Sequence, residues 1–147
     1  MSTAALPFRI LPRITDRNRF FWTGGEVGEL RFLRCDDCGT FVHPPVPVCP
    51  TCLGRSLRPH AVSGRAVLTT FTVNHHAWMP GPELPYVVAI VDIDEAPGVR
   101  LTTNIVGVEP DAVQIGMPLR VAFEQHPDPD DPASSGVWLP LFEPADT

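Results

Sequence analysis

Four cysteines in two Cys-x-x-Cys pairs constrain this chain more than any other feature. They are Cys35-Asp36-Asp37-Cys38 and Cys49-Pro50-Thr51-Cys52, with ten residues between them and no other cysteine in the 147. A Cys-x-x-Cys turn offers two thiolates from one knuckle. A short strand excursion returns a second knuckle to the first, so four soft ligands converge on one ion. One pair is a weak signal. Two pairs with no spare cysteine point to a tetrahedral metal site, although the spacer is shorter than the commonest zinc-ribbon spacing. Gly39, directly after the first pair, suits a backbone that turns and aims its amides at sulfur, and Gly54 is expected to repeat this after the second.

Two disulfides or a thioredoxin-type pair are the alternatives. The segment from Met1 to Ile10 lacks the charged start, apolar run and cleavage site of a secretory leader. A redox motif needs only one pair, near a βαβ pattern. Tetrahedral S₄ suits zinc and iron alike, with zinc the structural default. Four thiolates close the coordination sphere, whereas a catalytic zinc keeps an open position beside three protein ligands. The metal is therefore expected to fold a segment too small to build its own core. His43 lies between the knuckles, finds no vacancy among four thiolates and reads as a packing or surface residue.

The formal net charge of −6 becomes −8 once four thiolates (−4) and one divalent ion (+2) are counted. That balance argues against nucleic acid as a partner, since such domains carry a basic footprint. No stretch approaches the ~20 apolar residues of a membrane span. With no leader either, a cytoplasmic location is expected. Eighteen prolines imply short strands and shaped loops rather than long helices.

Three segments follow: an N-terminal arm and short helix (1–29), a ribbon (30–62) and a β-barrel (63–147). Thr15-Asp16 are placed to cap a helix running to Trp22, and Gly24-Gly25 to stop it. Phe20, Phe21 and Trp22 are too many adjacent rings for one face of so short a helix. They read as a hydrophobic clamp or as a partner surface. From Gly64 the pattern turns to period two. Val67, Thr69, Phe71 and Val73 are expected on one strand face, and the run from Tyr86 to Ile93 forms a central strand. Further runs begin at Arg100, Leu119 and Val137, the last demoted towards an edge by Pro140. Five short strands without helical period predict a small closed or half-closed barrel. The stretch from His126 to Ser135 reads as a flexible hairpin loop.

These residues resemble a known family, the zinc-ribbon and OB-fold acyl-CoA-associated proteins long described as a domain of unknown function. The resemblance runs along nearly the whole chain. It is carried by Phe21-Trp22, the Arg34–Gly39 knuckle, Pro44-Pro45, the second cysteine pair, Gly64–Val67, Pro85–Asp92, Ile115-Gly116-Met117-Pro118 and Leu139–Pro144. The turn at Glu95-Ala96-Pro97-Gly98 departs from the family's shorter one. The resemblance implies a mainly β protein: a short helix, a rubredoxin-like zinc ribbon and a five-stranded OB-fold barrel. It also implies an accessory subunit of acyl-CoA metabolism. Members pair with thiolase-like enzymes, including the sterol-carrier-protein type, and with hydratases, and some such complexes are aldolases cleaving steroid side-chain CoA thioesters. The chemistry then belongs to the partner, and no catalytic motif carries over.

Outside the cysteines, His75-His76 end the first barrel strand and open a proline-rich loop containing Trp78 and Met79. Adjacent strand residues point to opposite faces, so both histidines cannot serve one site without a bend. In an OB-fold this loop is a usual binding element. His76, Trp78 and Met79 are therefore candidate partner or substrate contacts, beside Phe20, Phe21 and Trp22; a loop folded over the barrel end is the alternative. Asp92, Asp94 and Glu95 read as a solvated turn. The leading expectation is a non-catalytic subunit of a thiolase-like enzyme. The second is an independent acyl-CoA or lipid-binding module, with Arg31, Arg34, Arg55 and Arg58 available to CoA phosphates.

Overall fold

Short runs of β-branched and aromatic residues, broken by proline and glycine, leave the chain little scope for helix. The computed structural model describes residues 6–146, so residues 1–5 of the arm and residue 147 lie outside the described residues. Helix α1 (Arg19–Thr23) runs on into a 3₁₀ turn (Gly24–Val27). Strands β1 (Leu30–Cys35), β2 (Phe41–Val42) and β3 (Leu57–Val62) make an antiparallel sheet in the order β2-β1-β3. Strands β4 (Arg65–Asn74), β5 (Tyr86–Ile93), β6 (Arg100–Ile105), β7 (Pro118–His126) and β8 (Val137–Pro144) close a barrel in the order β4-β5-β6-β8-β7. Every neighbour pair in the barrel is antiparallel except β6–β8, a parallel contact at Ile105 and Phe142. No helix among the described residues is long and apolar enough to cross a membrane.

The helix starts later than the capping pattern implies. The Asn18 carboxamide accepts from the Thr15 amide at 2.7 Å and donates to the Arg13 carbonyl at 3.1 Å, so residues 15–18 form a turn and α1 begins at Arg19. The α-helix does end at Gly24, its C-cap, and Gly24 and Gly25 open the 3₁₀ turn at positions where nothing larger fits. A Cβ on Gly24 would run into the Glu29 carbonyl, and one on Gly25 would sit 2.7 Å from the Phe123 ring and from Trp138 Cβ. The exit comes at Gly28, whose φ of 73° is left-handed.

Strand β4 does not keep one face. Its register against β5 slips between Leu68 and Thr70, leaving Thr69 unpaired in a bulge. Ala66 and Leu68 therefore point inward before the bulge, and Phe71 and Val73 after it. Val67, expected on one face with Phe71, is turned away from it and is 38 % exposed. Thr69 instead donates to Asp92 Oδ2 at 2.7 Å, while Arg100 donates to Asp92 Oδ1 at 2.9 Å. These bonds, Thr69 first, hold the Asp92 carboxyl below its usual range.

Strand β8 is no edge. It lies between β6 and β7 and is buried on both sides. Phe142 faces the barrel interior core, while Val137, Leu139 and Leu141 form a second cluster with Leu11, Ile14, Trp22 and Val106. Pro140 is tolerated because the β6 pairing touches β8 only at Phe142. The Pro140 carbonyl accepts from the Thr103 hydroxyl at 2.9 Å instead of from a ladder amide. Strand β7 runs on to His126, which is buried rather than part of the loop. That loop is tied: the Asp128 carboxylate accepts from the Asp130 amide at 2.9 Å, and Gln125 donates to the Ser135 carbonyl at 2.6 Å.

Candidate functional site

Strand β1 delivers Cys35 and the β1–β2 turn delivers Cys38, while the second knuckle lies on the long connection from β2 to β3. The two knuckles repeat one hydrogen-bond pattern. The Gly39 amide donates to the Cys35 carbonyl and the Leu53 amide to the Cys49 carbonyl; the Cys35 amide donates to Thr40 and the Cys49 amide to Gly54. In this pattern Leu53, not Gly54, is the counterpart of Gly39. Gly39 has φ 76° and Leu53 φ 64°, a rare value for a branched residue. Gly54 is required for space, since a Cβ there would stand 2.7 Å from Asp37 Oδ2 and 3.2 Å from Cys52 Sγ.

The four sulfurs lie within 4.8 Å of one another, with Cys35–Cys52 and Cys38–Cys49 both at 3.6 Å. Sulfurs about 2.3 Å from one zinc lie about 3.8 Å apart along tetrahedron edges, so the set fits a tetrathiolate ion. Cys35 and Cys49 are fully buried; Cys38 and Cys52 face outward. Hydrogen bonding to the Thr40 side chain and backbone draws Cys38 down to about 6. The Gly54 amide, 3.4 Å from Cys52 Sγ, pulls Cys52 the same way. The hydrogen bond to Cys35, burial and the bonds to the other two sulfurs outweigh it and push Cys52 up to about 12. One thiolate therefore forms readily while Cys52 keeps its proton in bonds to its sulfur neighbours, a proton that a bound divalent cation would displace. The closed ligand set leaves His43 outside. Its ring packs 4.8 Å from Phe21 and 5.2 Å from Phe32, and desolvation lowers its pKa.

The aromatic candidates separate. Phe21 is only 4 % exposed. It packs on Trp22, Phe32 and His43 between α1 and the ribbon, so it departs from the expectation of a surface contact. Phe20 and Trp22 are half-buried against the same core. At the barrel's other exposed feature, the β4–β5 loop, Trp78 is 75 % exposed yet held in place. Its Nε1 donates to Asn74 Oδ1 at 2.9 Å, Asn74 donates to the His76 carbonyl at 2.8 Å, and the His76 and Trp78 rings meet edge-on at 4.6 Å. Met79 follows on the same loop, partly exposed. Of the ribbon arginines, Arg31 pairs with Glu29 at 2.8 Å and Arg58 with Asp36 at 2.7 Å, while Arg34 lies over the Phe41 ring.

One polar cluster had no signal in the sequence. Arg9 donates to both carboxylate oxygens of Glu124, at 2.8 and 3.4 Å, and to Asn104 Oδ1 at 3.2 Å; His126 Nε2 lies 2.6 Å from Glu124 Oε1. Arg9 and Glu124 are 115 residues apart, beyond any local pattern. Burial alone would raise the Glu124 carboxyl, but Arg9 and then His126 overcome it and hold the carboxyl below its usual range.

This geometry has close relatives. A family model described as the ChsH2 rubredoxin-like zinc ribbon matches residues 22–58, and the ChsH2 C-terminal OB-fold domain matches residues 59–124. A probable enoyl-CoA hydratase alpha subunit of Thermomonospora curvata is 37 % identical over 91 % of this chain and 39 % of its own length. The 3-oxo-4,17-pregnadiene-20-carboxyl-CoA hydratase alpha subunit of Mycobacterium tuberculosis is 38 % identical over 74 % of this chain and 34 % of its own length. The chain thus spans well under half the length of these two relatives. A DUF35 domain-containing scaffold protein of Methanothermobacter thermautotrophicus is 31 % identical over 63 % of this chain and 69 % of its own. Among solved structures, a chain of the Ltp2-ChsH2(DUF35) aldolase superposes with a TM-score of 0.77 at 35 % identity, covering 92 % of this chain and all of that one. A DUF35 protein of unknown function from Sulfolobus solfataricus shares the fold, with a TM-score of 0.58 at 14 % identity over 88 % of this chain and 86 % of that one.

Proposed function

Because this chain belongs to the ChsH2-type DUF35 family, a zinc ribbon followed by an OB-fold barrel, we propose that it is an accessory subunit of a thiolase-like acyl-CoA enzyme. On this reading the complex is an aldolase acting on steroid side-chain CoA thioesters, a reading supported by one relative that is part of an aldolase and another that is a subunit of a pregnadiene-carboxyl-CoA hydratase. The ribbon's ion is zinc and structural. Four thiolates leave it no position for water or substrate, so its work is to hold the two knuckles and the sheet together. Reaction chemistry then falls to the partner, in the cytoplasm, and this chain contributes shape and stability.

The observation that carries the reading is Trp78. An exposed indole whose N–H is already satisfied by Asn74 loses little freedom on docking and brings a large apolar face. Aromatic anchors of this kind dominate interface energetics. His76, edge-on against it, and Met79 extend the same loop surface, and the half-buried Phe20 and Trp22 are the helix's contribution. Co-expression with a candidate thiolase-like partner, followed by size exclusion at micromolar concentration, tests this. One complex peak is expected, and Trp78→Ala should weaken the complex by about 2 kcal/mol, roughly thirtyfold in Kd. Two proteins eluting separately would overturn the proposal.

A further inference from the structure

The four ribbon sulfurs differ in exposure, and the difference alternates along the chain. Cys35 and Cys49, the first residue of each knuckle, are fully buried, whereas Cys38 and Cys52, the second of each, face solvent. The two sulfur contacts at 3.6 Å both cross between knuckles. Each joins an exposed sulfur to a buried one: Cys52 to Cys35, and Cys38 to Cys49. The backbone fixes this crossing. The amides of Gly39 and Leu53 close each turn onto its own first cysteine, and Thr40 Oγ1 and the Gly54 amide lie 3.2 and 3.4 Å from the exposed sulfurs. The β1–β3 ladder, which ends at Cys35 and Leu57, brings the two knuckles together.

That arrangement has a chemistry beyond holding an ion. The sulfurs of a tetrathiolate site are deprotonated, and the thiolate is the reactive form of cysteine. Two of them stand at the surface here. The Arg34 guanidinium, 3.3 Å from where a Gly39 Cβ would be, adds positive charge beside the first knuckle. Hydrogen peroxide reaching Cys38 is attacked by its sulfur. The O–O bond breaks, a sulfenic acid forms on Cys38, and the departing hydroxide takes a proton and leaves as water. The Cys49 thiolate, 3.6 Å away, then attacks that sulfur. An S–S bond forms, the S–O bond breaks, and the second hydroxide also takes a proton and leaves as water. Cys52 and Cys35 react in the same way. For each disulfide two thiolates are oxidised, one peroxide is reduced to two waters and two protons are consumed. With its thiolates gone, the ribbon releases its ion.

We propose that the ribbon is an oxidation site at which peroxide exchanges the ion for two cross-knuckle disulfides, Cys38–Cys49 and Cys35–Cys52, so that the sheet keeps a cross-link when it loses its metal. This chemistry belongs to the ribbon alone and does not depend on a partner. The test treats the full, zinc-loaded chain with hydrogen peroxide in the presence of a chromophoric zinc chelator. Zinc release in step with loss of free thiols is expected. Non-reducing peptide mapping then identifies the pairs. Cleavage before Asp36 or Asp37 and after Phe41 puts Cys35, Cys38 and the second cysteine pair on three separate peptides. Both peptides of the first knuckle should be joined to the third, with fragment masses assigning Cys38 to Cys49 and Cys35 to Cys52. The β1–β3 amides of the oxidised chain should exchange about tenfold more slowly than those of the reduced chain stripped of zinc, because the disulfides restrain the opened ribbon. Zinc retained under a large excess of peroxide, disulfides within a knuckle, sulfinic acids in place of disulfides, or exchange as fast as in the stripped chain would overturn the proposal.

Discussion

Truncating Phe21 to alanine separates packing from recognition at the N-terminal helix. The ring is 4 % exposed and touches three other rings: Trp22 at 4.7 Å, His43 at 4.8 Å and Phe32 at 6.0 Å between centroids. Phe32 is itself fully buried and cannot move into the gap without leaving its strand. Buried Phe→Ala changes cost about 3–5 kcal/mol, through lost transfer energy and an unfilled cavity. The two edge-on contacts, to Trp22 and from His43 to Phe32, depend on Phe21 for their geometry, so the cost should lie near 4 kcal/mol. For a chain of this size that lowers Tm by roughly 10–15 °C. Circular dichroism melts of Phe21→Ala, with zinc measured in the same samples, check this. The metal should stay, because the cysteines lie outside the cavity. A loss below about 1 kcal/mol would show that the helix is not part of the core and would return Phe21 to the surface.

Other outcomes follow from the ribbon and its neighbours. Cys35→Ser or Cys49→Ser should lose the metal and unfold the ribbon together, read by elemental analysis and by exchange of the β1–β3 amides. Leu53→Gly should stabilise the ribbon by about 1 kcal/mol, because the side chain is 74 % exposed and its left-handed backbone is strained. Competition of the variant and parent for a zinc chelator reads that difference. His43 should make stability pH-dependent. Desolvation lowers its pKa in the folded chain from 6.5, so below that value the unfolded chain binds the extra proton. Stability from this group is complete above pH 6.5 and falls as pH drops beneath it. In urea titrations across that window, His43→Phe should lose less stability than the parent.

The parts of this molecule that local pattern can encode were legible. Two cysteine pairs announce a tetrathiolate site, and period-two runs separated by proline and glycine announce a small barrel. What escaped depends on contacts between distant residues or on one residue of slippage. Thr69 looks like any strand residue, yet the bulge there turns Val67 outward. Gly24 and Gly25 look like a helix stop; their absence of side chains is dictated by Glu29, Phe123 and Trp138, which no window of sequence brings together. Leu53 takes the backbone role assigned to Gly54, because the knuckle's hydrogen bonds fix which residue turns. At the surface, the loop with His76, Trp78 and Met79 was visible as apolar and proline-rich. The bonds that make Trp78 rigid, and the cluster joining Arg9, Asn104, Glu124 and His126, were not.

The way the barrel is sealed bears on the order in which a nascent chain acquires structure. The ribbon's strands and ligands are complete by Val62, so that unit can take up its ion while the following residues are still being synthesised. The barrel cannot act so early. Its ring stays open until residues 137–144 emerge, and those residues must slot between β6 and β7, form the lone parallel contact and receive Leu11, Ile14 and Trp22 on their outer side. Until then β6 and β7 each present an unpaired margin. A ribosome-bound chain of this kind thus carries a finished metal unit tethered to an adhesive half-barrel, and the window between the two is when a holding factor or an early-arriving partner would protect it most.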